Sequence, residues 1–103
     1  MPLAARPPSA PWTPPATWTL TIAIGSDGLP VISYHDNTNG DLKVAHCVDA
    51  ACSSATLSTV DGAGDVGEYT AIAIGTDGLP VISYFDDTNG DLKVAHCGTR
   101  SCQ

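Results

Sequence analysis

The chain has 103 residues, about the size of one small domain. Four Lys+Arg stand against 11 Asp+Glu, a formal charge of −7, which excludes a basic nucleic-acid binder because too little positive charge is present to neutralise a run of phosphates. The apolar runs are only a few residues long, short of the roughly 18 that a membrane-spanning helix needs.

In chain order, the first feature is a Pro-rich arm over residues 1–18. Six of the eight prolines fall between Met1 and Pro15, with no leucine-rich apolar core of the kind a signal peptide carries. The arm reads as an extended, polyproline-like segment or as a boundary made by truncation. Of the two tryptophans in it, Trp12 and Trp18, one or both are expected to pack against the first strand or a neighbouring subunit.

From Thr19 the period is that of strands. Thr19–Ile24 is rich in β-branched residues, and Ser26-Asp27-Gly28 is a turn in which Gly28 supplies the positive φ of a tight hairpin. Pro30 opens the next strand, where its missing donor does least harm. Val31–His35 places Ile32 and Tyr34 on one face and Val31, Ser33 and His35 on the other. A second turn, Asp36–Gly40, leads to a third strand, Asp41–Cys47. Ala55–Val60 is a shorter fourth strand, and Asp61–Glu68 reads as the connection to the second half of the chain. No window carries a helical apolar period.

Cys47 and Cys52 are five apart, as are Cys97 and Cys102. Two identical local pairs argue for two small disulfide-closed loops, and hence an oxidising compartment, over free thiols or a metal site. His46 and Cys47, adjacent on a strand, point to opposite faces and do not converge on one ion.

The chain repeats itself at an offset of 50. Ile22–Cys47 reads IAIGSDGLPVISYHDNTNGDLKVAHC and Ile72–Cys97 reads IAIGTDGLPVISYFDDTNGDLKVAHC, differing only at Ser26/Thr76, His35/Phe85 and Asn37/Asp87. Residues 19–68 form one complete unit and 69–103 an incomplete second one with three strands. Short antiparallel strands in units of about 50 residues predict an all-β fold of four-stranded β-propeller-type blades, about two per chain. A solenoid lacks a hairpin at every step, and an ordinary sandwich does not explain the internal copy. The segments DGLPVISYHDNTNGDLKVAHC and DGLPVISYFDDTNGDLKVAHC resemble the tandem repeats of large secreted bacterial proteins, which are similar to blades of sialidase-like propellers. The resemblance covers residues 19–103 and implies the blade, not the chemistry. The Asp-box pattern is absent, and the only arginines are Arg6 and Arg100. Propellers close with about four to eight blades. The expectation is therefore completion by several copies of the chain, in a closed ring or an open filament, or membership of a longer repeat protein.

Candidate chemistry is sparse. Asp36 and Asp41, and in the second copy Asp86, Asp87 and Asp91, sit in oxygen-rich turns that suit Ca²⁺, although Asp and Asn are also ordinary turn residues. No other cofactor is expected. Tyr34, Tyr84, His35, His46 and His96 are the candidates for ligand binding, against packing between blades for the tyrosines and satisfied imidazoles for His46 and His96. His35 gives way to Phe85 in the second copy, which argues against a catalytic role required in both. The residues favour a non-enzymatic, extracellular or cell-surface scaffold that self-assembles. The alternatives are a carbohydrate-binding, lectin-like propeller, with Tyr34 and Tyr84 stacking on glycans, and a glycoside hydrolase or lyase. The last needs paired carboxylates about 5 to 9.5 Å apart across a cleft.

Overall fold

A computed structural model describes residues 20–102. The expected arm of 1–18 with its two tryptophans, and Thr19 at the head of the first expected strand, lie outside the described residues. The described chain is all-β. Its strands are β1 (Leu20–Ile24), β2 (Pro30–Asp36), β3 (Asp41–Cys47), β4 (Ala55–Asp61), β5 (Val66–Ile74), β6 (Pro80–Asp86) and β7 (Asp91–His96). They form two antiparallel meanders, a four-stranded sheet ordered β1-β2-β3-β4 and a three-stranded sheet ordered β5-β6-β7.

Turn chemistry sets the first hairpin of each sheet. Gly28 and Gly78 sit at φ +81° and +80°, a conformation that L side chains resist. Leu29 and Leu79 donate their N–H groups to Asp27 and Asp77 Oδ1, both at 3.0 Å. The turns fix the pairing, Ile22 opposite Ile32 in the first sheet and Ile72 opposite Ile82 in the second. Because side chains alternate, this register gives each sheet two distinct faces. The Ser face carries Val31, Ser33, Leu42 and Val44 in the first sheet and Val81, Ser83, Leu92 and Val94 in the second. The Tyr face carries Ile22, Ile32 and Tyr34, and then Ile72, Ile82 and Tyr84.

The sequence-based connection Asp61–Glu68 is half strand, and only residues 62–65 lie between strands. β4 runs on to Asp61 and β5 begins at Val66, so β5 spans the expected unit boundary at 68/69. The extension escaped the period-2 pattern because it is irregular. Its register against β6 shifts twice between Val66 and Ala71, and Tyr69 sits at φ +54°. Gly67, at φ +107°, is where the chain crosses the first sheet. A Cβ there would stand 2.9 Å from the Leu42 Cα, so only glycine permits that approach.

β5 lies across β1, β2 and β3 and stacks the Tyr face of the second sheet on the Ser face of the first. The core is this contact: Val31, Leu42 and Val44 from below, Ile82 and Tyr84 from above, with Val66 at one end and Cys97 in the same cluster. The repeated residues therefore part company. Leu42 and Val44 are completely buried, whereas Leu92 and Val94, identical in sequence context, are 77% and 64% exposed. Replacement of Leu42 by Ala is expected to cost about 2–5 kcal/mol through the lost apolar contact and the cavity left behind. Leu92→Ala should stay within about 0.5 kcal/mol of the parent. Urea denaturation of the two variants as dilute chains checks the difference.

Candidate functional site

The joint between the sheets is the most polar part of the interior. Ser33 and Thr70 hydroxyls meet at 2.9 Å in a buried hydrogen bond, and His35 Nε2–H donates to Asp65 Oδ1 at 3.0 Å. The Asp65–Val66 backbone sits between two turns. Val66 N–H donates to the Gly40 carbonyl and Asp87 N–H to the Asp65 carbonyl, both at 2.9 Å. Asp65 N–H donates to Thr88 Oγ1 at 2.7 Å. At the far end of β4, Asp61 Oδ2 accepts from the Tyr84 hydroxyl at 2.8 Å and from Lys93 Nζ at 3.2 Å. Burial raises the Tyr84 phenol, and the Asp61 carboxylate beside it adds to the shift, to about 12. Burial also works against ionisation of Asp61. The Ala63 N–H, the Tyr84 hydroxyl and Lys93 outweigh it and hold that carboxyl below its ordinary value.

The acidic turns use their own carboxylates. Asp36 accepts from the Thr38 and Asn39 backbone N–H groups at 3.0 and 3.3 Å and from Asn39 Nδ2 at 2.9 Å. Asp86 does the same with Asn89, at 3.1 and 2.8 Å. Lys43 and Lys93 lie 3.7 and 3.6 Å from these carboxylates. Of the expected calcium ligands, Asp36 and Asp86 are thus committed to turn closure, and Asp41 and Asp91 head β3 and β7. Asp87 joins a group that the sequence did not single out, Asp65–Glu68–Asp87, with one oxygen from each within 4.8 Å of the others. Three carboxylates supply part of the roughly six to eight oxygens that Ca²⁺ takes.

The other expected site residues fall into structural positions. Tyr34 and Tyr84 are 2% and 4% exposed, so neither ring offers a face for a sugar to stack on. His46 Nε2–H donates to Asp27 Oδ2 at 2.8 Å and His96 to Asp77 Oδ2 at 2.7 Å. Each is a clamp from the third strand of a sheet to the hairpin turn of that same sheet, so both imidazoles are satisfied within their own sheet. His35 does lie between the sheets, paired with Asp65. Sequence reasoning missed Asp61, Asp65, Glu68 and Thr70. They occupy the stretch whose counterpart fifty residues earlier reads PWTPPATWTL, so no doubled pattern marked them out.

The disulfides pair as expected, Cys47–Cys52 and Cys97–Cys102, each with Cα atoms 4.8 Å apart. They fit an oxidising, non-cytoplasmic environment. Among the described residues no helix is long and apolar enough to cross a membrane. Comparison with known proteins returned no matching family model, no similar curated protein and no similar solved structure.

Asp27 and Asp77 are held below the ordinary carboxylate value of 3.8 first by the Leu29 and Leu79 N–H groups and then by His46 and His96. Asp86 is lowered chiefly by the Asn89 side chain, and Asp36, against the effect of its burial, by Asn39, Thr38 and Lys43. With Asp61, these groups bind fewer protons folded than unfolded. Their contribution is complete above the unfolded value and is lost as pH falls through the lower folded ones. The urea midpoint should therefore hold steady down to about pH 5 and fall steadily toward about pH 2, as circular dichroism would report.

Proposed function

We propose that this chain is a non-enzymatic scaffold module of β-propeller-type blades, working outside the cell or at its surface and associating with copies of itself in a ring or a filament. One observation carries the reading. The Ser face of the first sheet is buried at Val31, Ser33, Leu42 and Val44 beneath the second sheet, while the Ser face of the second sheet lies open along Ala71, Ala73, Leu92 and Val94. Such a stripe on an otherwise acidic molecule is where a contact forms. The antiparallel meanders and their face-to-face stacking support the blade description. The paired cysteines support an extracellular setting. The His–Asp clamps support a structural role, since they recur at the same hairpin in both units and brace a turn in each.

Light scattering tests it. Discrete particles of three or four chains correspond to a closed ring, and long polydisperse ones to a filament. Association should strengthen with added salt, because chains of formal charge −7 repel one another and screening weakens that repulsion over about 8–10 Å. A single-chain mass at all concentrations and salts would overturn the reading.

A second reading has one observation in its favour. Tyr69 is 75% exposed and packs edge-on against Phe85, ring centroids 6.2 Å apart, within one residue of Glu68 in the acidic trio. An exposed aromatic beside clustered carboxylates is an arrangement that sugar hydroxyls and rings can use. Glycan-array binding that disappears in Tyr69→Ala would support the carbohydrate-binding alternative; no binding by the parent chain would remove it.

A further inference from the structure

The contact inside the chain is a template for a contact outside it. Internally, β5 seats the Tyr face of the second sheet on the Ser face of the first, with Thr70 meeting Ser33 and Ile72 against the Val31–Leu42–Val44 cluster. The chain carries a second acceptor face, which is open, and a second donor strand with an exposed apolar stripe. The acceptor is the Ser face of the second sheet, where Ala71, Ala73, Val81, Ser83 and Val94 line a shallow depression. The donor is β1, the counterpart of β5, whose Leu20, Ile22 and Ile24 are all exposed. The rest of that donor face, Tyr34 and Ala45, is buried, so the strand that carries the internal contact is also the part left open here.

We propose that β1 of a second copy docks on the Ser face of the second sheet in the register that β5 takes on the first. The contact is head-to-tail and places Leu20 at Ser83 and Ile22 over Val81, Leu92 and Val94. This rests on the self-association proposed above and adds its surface, register and polarity. Sequence differences between the copies agree with it. At the offset of 50, His35 becomes Phe85 on the acceptor side and Thr70 corresponds to Leu20 on the donor side. Each side of the outer contact thus replaces a polar group of the inner joint with an apolar one. A contact with two unlike halves is heterologous and propagates until it closes.

Two single variants and their mixture test it. Ile22→Asp spoils the donor stripe and Val94→Asp the acceptor face, and both positions are more than half exposed; Leu20→Asp and Leu92→Asp serve as second variants, and circular dichroism checks folding. Each variant alone should remain a single chain at concentrations where the parent associates. An equimolar mixture should give particles of two chains and no larger, because each pair retains one intact donor and one intact acceptor. If the parent associates and the folded variants still associate as it does, this docking mode is wrong and the scaffold reading stands. If one variant still associates while the other stays a single chain, like faces meet each other; if both variants and their mixture stay single chains, a lone donor–acceptor contact does not form; either result overturns the head-to-tail docking. A parent that never associates removes both proposals.

Discussion

The passage of β5 over the Leu42–Val44 face is the contact on which the rest of this structure depends. Each sheet alone is a small meander with two half-apolar faces and no interior. Stacking them gives Val31, Leu42, Val44, Ile82 and Tyr84 a common core. The approach is close enough to require glycine at position 67, where any side chain would collide with the Leu42 backbone. The linking segment then ties both turns to itself through Val66, Asp87 and Thr88. The polar joint is thus built by the same few residues that bring the apolar faces together.

A polar joint in a small core has to be fully satisfied to be tolerated, since an orphaned buried group costs more than a made bond returns. Among the described residues no buried side-chain nitrogen or oxygen lacks a partner. Ser33 has Thr70, Tyr84 has Asp61, and Asp86 has Asn89 and Lys93. Among the described residues, lysines stand beside Asp36, Asp61 and Asp86 alone of the 11 acidic residues. Several are stabilised instead by backbone N–H groups at turns, which links the unusual acidity of the chain to its unusual number of tight turns.

Near-identity between the units makes the molecule its own control. Leu42 and Leu92 share their neighbours in sequence and their strand position, yet one is buried and the other open. The difference comes from the second sheet stacked on Leu42 and from β4 beside it, whereas β7 is the edge of its sheet. The same comparison separates His35 from Phe85. The imidazole meets the Asp65 carboxylate at a covered face, while the phenyl ring meets Tyr69 in edge contact.

Much of the architecture was legible in the residues themselves. Alternation, Asp-Gly hairpins and the offset of 50 mark out the four-plus-three antiparallel strands, and the cysteine spacing marks out both disulfide loops, because these are local properties of a few neighbouring residues. The start of β5, the bulges around Gly67 and Tyr69, and the partners of His35 and Tyr84 were not legible. Each depends on which face of one sheet lies against the other, and a repeat that presents the same two faces twice does not say which pair will meet. Strands, hairpin register and the chemistry of each face come from the order of the residues alone. Which Ser face is buried and which stays open is settled only when the sheets stack, because a chain with a single joint can cover only one of them.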